Sequence, residues 1–145
     1  NTNDHQEIKT RINHLAENCK SYQKVKSVLS SDSKGVYQGK IYVKNIAQKT
    51  NAYQLSKALL LSSDSEFDSK PELEIYADNV KCSHGSTSGS LDEDSLYYLM
   101  TRGLNRKEST KLLIKGFLDD VVQIIKSVSI KKFIQDKLAK QIYGH

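Results

Sequence analysis

The sequence predicts a β plus α protein, with winding β-structure up to about Gly89 and helices after it. Three observations predict this. Apolar clusters recur at Val25–Leu29, Ile41–Val43, Leu59–Leu61 and Leu73–Tyr76, in steps of about 14–18 residues with hydrophilic turns between them. The segments "GKIYVKN" and "KPELEIYADN" cluster or alternate β-branched and aromatic residues between Gly, Pro, Asn and Asp, as short strands do. After Gly89 the apolar spacing lengthens to that of helices. Spacing alone fits a sandwich as well as a β-helix in the first part.

The opening segment admits two readings. Ile8, Ile12 and Leu15 sit at helical spacing, whereas Ile8, Thr10, Ile12 and His14 fit one face of a strand. Between Asn79 and Gly89, "NVKCSHGSTSG" reads as a glycine- and serine-rich turn in which Gly85 and Gly89 let the backbone bend toward the first helix. That helix is predicted to start in a capping box at "SLDE", with Ser90 as N-cap and Glu93 reaching back. It carries Leu91, Leu96, Tyr97, Leu99 and Met100 and stops at Gly103, which can adopt the left-handed conformation of a helix end. A second helix starts from Asn105, with Glu108 three residues on. It is expected to bury Leu112, Leu113, Phe117, Leu118, Val121, Val122, Ile125 and Val128. Ser129 caps a third, with Ile130, Phe133, Ile134, Leu138 and Ile142 on one face. Three such helices bury little apolar area alone, so they are expected to pack on the β part, on each other or on a partner.

Composition narrows the function classes. The chain has 145 residues, about one domain. It opens "NTNDHQEIKT", without an initiator Met or an apolar export segment, which reads as a cut start. No apolar run approaches the roughly 20 residues of a membrane span, so a soluble protein is expected. The net charge is +5, but residues 1–90 carry 12 Lys/Arg against 10 Asp/Glu and residues 91–145 carry 10 against 7. No basic block stands out that would release many counterions from a phosphate backbone, and nucleic-acid binding is not predicted. Two cysteines, Cys19 and Cys82, are too few for a disulfide framework and point to a reducing compartment.

The chemistry-bearing residues are Cys82 and His84. A thiolate and a neutral imidazole both suit iron, or the acceptance of sulfur. With one residue between them, a strand would turn both to the same face. A stable cluster usually has four ligands, so the pair argues for a transient site completed by another chain. Cys19 reads as an interior β residue, and His5, His14 and His145 as surface or packing side chains. The acids of "LDEDS" favour the positive end of a helix dipole, and "GSTSGS" lacks the Lys-Ser/Thr ending of a phosphate loop.

The run from Lys70 to Leu104, "KPELEIYADNVKCSHGSTSGSLDEDSLYYLMTRGL", resembles the C-terminal signature of the SufD-type subunits of the Suf iron–sulfur cluster assembly scaffold. "ENCKSYQ", "GVYQGKIYV" and "AQKTNAYQLSKALLLS" resemble the same family in order and spacing, from about Ala16 to about Phe117. The sibling SufB-type pattern reads "EHEAST" where this chain has "CSHGST". The resemblance implies that residues 1–89 are the last coils of a right-handed parallel β-helix, and it resolves the opening segment toward strand. Residues 90–145 would be a C-terminal helical domain docking a SufC-type ATPase, with Leu113, Phe117 and Val121 as partner contacts. The chain would be a C-terminal fragment of a longer, non-catalytic scaffold subunit. No permanent cofactor is implied. A transient iron–sulfur cluster would be shared with a SufB-type partner at the SufB–SufD junction, with His84 and Cys82 as ligands. Without that partner a homodimer through a β edge is expected. The implied location is the bacterial cytoplasm, with a plastid-type organelle as the alternative. Two rival readings stand beside this one: a β-helix interaction module without cluster chemistry, and a polysaccharide-acting enzyme, for which no pair of carboxylates at a fixed separation is evident.

Overall fold

The structure, a computed structural model, describes residues 4–143, excluding the side chain of Tyr143. His145 therefore lies outside the described residues. By backbone proximity the chain divides into two compact units, residues 1–88 and 89–145.

The first unit is built from six ten-residue strands: β1 (His5–His14), β2 (Lys20–Leu29), β3 (Lys34–Val43), β4 (Asn51–Leu60), β5 (Glu66–Ile75) and β6 (Lys81–Ser90). Odd strands form one sheet in the order β1-β3-β5, and even strands the other in the order β2-β4-β6. Each strand therefore pairs with the next but one. The chain winds from one sheet to the other and back, as in a parallel β-helix. The step of the apolar clusters is the step from strand to strand, and each cluster fills the end of its strand. Register is parallel and unbroken, His5 beside Lys34 and Lys34 beside Glu66 in one sheet, Lys20 beside Asn51 in the other. The corners stack too: Asn18 N–H donates to the Gln48 carbonyl (2.9 Å), and one coil later Lys49 N–H donates to the Asn79 carbonyl (2.7 Å).

The opening segment is a strand, and its even residues turn inward: Ile8 at the open end is still half exposed, whereas His14 is buried. Alternation repeats on β3 and β4, where Tyr37, Ile41 and Val43 face Ala52, Gln54, Ser56 and Ala58. Ile41, Val43, Ala47, Ala52 and Ala77 form the apolar core, with Leu73, Val80 and Cys82 against it. Pro71 sits on β5, an edge strand of its sheet, where a missing N–H is tolerated. On the outer face Lys34 and Glu66 are register partners bridged at 2.9 Å. That exposed pair contributes little to stability.

His14 donates to or accepts from Ser21 Oγ at 2.9 Å, and burial pushes its pKa below the ordinary histidine value. A depressed folded-state pKa gives stability that is present above the unfolded value and lost as pH falls. Urea midpoints should therefore drop between about pH 7 and about pH 5, the range around an ordinary imidazole. His14→Gln, which keeps a neutral polar group beside Ser21, should flatten that drop; an unchanged slope would contradict the assignment.

The second unit holds α1 (Glu93–Thr101), α2 (Arg106–Val122) and α3 (Val128–Tyr143). Two caps differ from expectation. Ser90 ends β6, and the N-cap of α1 is Asp92, which accepts from the Ser95 N–H at 2.9 Å. Its carboxyl is held below the usual range first by the Ser95 hydroxyl and then by that N–H. Third-helix residues begin at Val128, so Ser129 lies inside the helix, and Ser127 flanks it with its hydroxyl 3.5 Å from the Ile130 N–H. Gly103 ends α1 at φ +98°, and Asn105 with Glu108 forms the expected capping box on α2. Burial on α2 is thinner than the apolar stripe predicts: Ile114 and Val122 are buried, Leu113, Phe117, Leu118 and Val121 are half-buried and Leu112 is exposed. Because α2 ends at Val122, the half-buried Ile125 lies between helices and the exposed Val128 opens α3. Ile130 and Phe133 on α3 are exposed as well. No described helix is long and apolar enough to cross a membrane.

Candidate functional site

The segment holding Cys82 and His84 is a full strand, β6, and the expected turn is absent there. Its composition hid this. β6 is held by backbone pairing to β4, while its side chains bury almost nothing. Lys81 N–H donates to the Thr50 carbonyl at 2.9 Å, just as Asn51 N–H donates to the Cys19 carbonyl one coil earlier. The repeated step sets Cys82 beside Ala52, His84 beside Gln54 and Ser86 beside Ser56. The 3.0 Å bond between Ser56 Oγ and Ser86 Oγ agrees with that register.

Even positions of β6 lie on the inner side. Cys82 packs against the apolar cluster and Ser86 reaches Ser56, so His84 between them is on the same side by alternation. Gly85 faces the other way, toward Leu55 and Tyr53. Yet His84 is exposed, because β6 is the last strand of its sheet and no further coil covers its inner face. Its ring makes no hydrogen bond to another described residue.

Cys82 is different. It is half-buried, and burial pushes its thiol pKa up, partly offset by a backbone hydrogen bond involving Ala52. At neutral pH it is a packing thiol and a poor nucleophile. A raised folded-state pKa also means that its contribution to stability is full below the ordinary thiol value and is lost as pH rises through the elevated one. Alkylation of Cys82 by iodoacetamide at about pH 7.5 should run several-fold slower than in the urea-unfolded chain, given how thiolate fraction controls the rate. Equal rates, read by mass spectrometry, would contradict this burial. Cys19, half-buried just before β2, is also a free thiol.

Among the described residues no three His, Cys, Asp or Glu side chains gather in a way that could hold a metal ion. The sequence-predicted ligands thus form a same-face pair, one member solvent-facing and the other turned into the core.

A feature the sequence reading missed lies directly beneath His84. Gln23, Gln54 and His84 occupy one ladder position on successive even strands, Gln23 beside Gln54 by register. Both glutamines are buried, Gln54 to 1% exposure. Thr10 Oγ1 donates to Gln23 Oε1 at 2.7 Å and lies 3.1 Å from the Tyr37 hydroxyl. Ser56 Oγ bonds both Ser69 Oγ (2.8 Å) and Ser86 Oγ. Polar side chains therefore line the coil interior on neighbouring rungs, and the Gln23–Gln54 rung continues to His84 by register. Its only trace in the sequence is the 31-residue offset between two inward glutamines, which means little until the register is known.

In the helical unit, Leu113 lines an open groove of about 460 Å³ together with Asp92, Asp94, Ser95, Tyr98, Leu99 and Leu112. Phe117 and Val121 follow Leu113 at four-residue steps and so share its side of α2.

Comparison with known proteins gives concordant matches. The family model described as "SUF system FeS cluster assembly, SufBD core domain" matches residues 1–117. The chain is 32% identical over 138 residues to the iron–sulfur cluster assembly protein SufD of Escherichia coli, covering 95% of this chain and 33% of that protein. It is 42% identical over 106 residues to an iron–sulfur cluster assembly SufBD family protein of Synechocystis, covering 73% of this chain and 23% of the relative. A chloroplastic protein of Arabidopsis thaliana is 40% identical over 96 residues, 66% of this chain and 20% of the relative. The chain thus spans a third or less of the length of these three relatives.

Proposed function

Since the chain belongs to the SufBD family of the Suf iron–sulfur cluster assembly system, we propose that it is the part of a scaffold subunit that offers His84 to a nascent cluster at a junction with a SufB-type chain. The cluster is cargo, assembled and passed on. The observation that carries the reading is the placement of His84: an exposed imidazole on the inner side of the terminal strand of its sheet, where a neighbouring chain can approach. Neutral imidazole is a suitable iron ligand, and one or two ligands from this chain leave the remaining positions to the partner. Cys82 shares the face of His84 but serves packing while its thiol stays protonated; it joins the ligand set only where a partner draws it from the core.

The helical unit supplies the second contact. Tyr97 on α1 and Val128 and Phe133 on α3 are 71%, 80% and 62% exposed, a display of large apolar side chains that marks an interaction surface. Leu113, Phe117 and Val121, spaced along α2 beside the Tyr98–Leu112 groove, suit a helix-in-groove contact with a SufC-type ATPase. ATP hydrolysis would then belong to that partner, and the present chain would act as a non-catalytic scaffold. The named relatives fit a bacterial cytoplasmic or plastid-type setting. Anaerobic iron and sulfide titration of the full-length protein tests the reading: little cluster alone, and a bound cluster once SufB- and SufC-type partners are added. Equal cluster loading with and without the partners would contradict a shared site.

A further inference from the structure

Gln54 is buried to 1% exposure, and neither its amide nitrogen nor its amide oxygen has a hydrogen-bond partner. Such a side chain in a native interior calls for an explanation, because an unpaired buried amide atom costs about 1–3 kcal/mol. The interior has been shaped around it. Gly39, opposite on β3, lacks the Cβ that would sit 2.0 Å from Gln54 Nε2 and 2.5 Å from the Tyr37 hydroxyl. The amide nitrogen therefore reaches across the coil to the space a residue-39 Cβ would take, a space the Tyr37 oxygen, already tied to Thr10, also borders. Toward the open end, the next residue in its ladder is His84, whose ring also lacks a partner.

We propose that Gln54 is the positioning residue of His84: its amide oxygen accepts the N–H of the inward ring nitrogen, while its amide N–H group is directed to the Tyr37 hydroxyl. The inference rests on the reading of His84 as a ligand and extends it by one shell. An imidazole that binds iron through one nitrogen needs its proton on the other, and a carbonyl oxygen behind it fixes both tautomer and ring direction. Gln54 is the described residue with a free acceptor at that ladder position. The same pairing satisfies the buried amide oxygen, and it gives a reason for the space that glycine leaves at residue 39.

The test uses the full-length protein with ¹⁵N-labelled histidine, free of iron, and reads the two ring nitrogens of His84 by long-range ¹H–¹⁵N correlation. The His84→Ala spectrum assigns the signals. The parent should show a tautomer ratio displaced about tenfold from that of a free histidine peptide, as one net hydrogen bond would give. Gln54→Met, close in shape but without amide atoms, should return the ratio to the peptide value. Gln54→Glu, which keeps an acceptor oxygen, should hold the displaced ratio. A parent ratio equal to the peptide value, or a Gln54→Met ratio unchanged from the parent, overturns the proposal. If Gln54→Met does not fold, the parent and Gln54→Glu spectra still decide. Neither readout involves iron, so a failure of cluster chemistry at His84 would defeat the ligand reading and leave this result standing.

Discussion

Gly39→Val should destabilise the full-length protein by about 3 kcal/mol, the upper part of the range for overpacking a filled core. Generic strand chemistry predicts the opposite sign. Glycine weakens a strand interior and valine strengthens one, by roughly 0.5–1 kcal/mol. The local geometry overrides that preference. A Cβ at residue 39 would meet Gln54 Nε2 at 2.0 Å, the Tyr37 hydroxyl at 2.5 Å and Gln54 Cδ at 2.7 Å. Both obstructing side chains are about 1% exposed, so neither has open space to retreat into. The clash is with side-chain atoms, and this makes the prediction separable from a general loss of fold. In a Gln54→Ser background the two Gln54 clashes are removed while the Tyr37 hydroxyl still obstructs, so part of the Gly39→Val cost should vanish as a coupling in a double-mutant cycle. Urea unfolding of the four proteins checks it. A Gly39→Val cost that is undiminished in the Gln54→Ser background would mean that residue 39 is glycine for another reason.

His84→Ala should lower cluster yield in the reconstituted three-subunit complex by at least tenfold while leaving the fold intact. Removing a metal ligand is more severe than removing the residue that orients it, and the latter already costs about 10–100-fold in affinity. The fold is spared because His84 is exposed on the terminal strand of its sheet, and loss of a bond to Gln54 would cost only about 1–3 kcal/mol. Cys82→Ser should act differently. It alters a partly buried group packed against the Ile41–Val43–Ala47–Ala52–Ala77 core, so it should lower stability before it lowers yield. A cluster yield that falls with Cys82→Ser at unchanged stability would promote the thiol to a resident ligand. Because iron is cargo in this account, both measurements count clusters formed and handed on.

Much of the fold was legible from local signals. The clusters ending at Leu29, Val43, Leu61 and Tyr76 marked strand ends, because apolar side chains there turn inward: Ile41 and Val43 enter the core with Leu73 against it, while Leu29 and Leu59 are buried outside that cluster. Gly103 and the Asn105–Glu108 pair were readable since helix ends are set by backbone chemistry within four residues. Strand β6 was not legible. Nothing in "KCSHGSTSGS" is apolar enough to signal a strand, and its conformation comes from backbone pairing to β4, which begins where the Lys81 N–H donates to the Thr50 carbonyl. The cap at Asp92 was misplaced because Ser90 and Asp92 are both good N-caps, and only the length of β6 decides between them. At the site, the same-face relation of Cys82 and His84 followed from alternation. Their unequal burial did not, since it depends on where the coil ends. Gln54 was invisible: a glutamine between Tyr53 and Leu55 reads as a surface residue until register places it inward.

The central claim is that the His84 ring is bonded to iron in the assembled complex. Pulsed electron paramagnetic resonance on the reduced cluster, with histidine labelled by ¹⁵N in this subunit alone, measures that bond directly. The account predicts a strong nitrogen coupling that disappears in His84→Ala. A reduced cluster without any ¹⁵N coupling from this subunit, or with a coupling that survives His84→Ala, would contradict it.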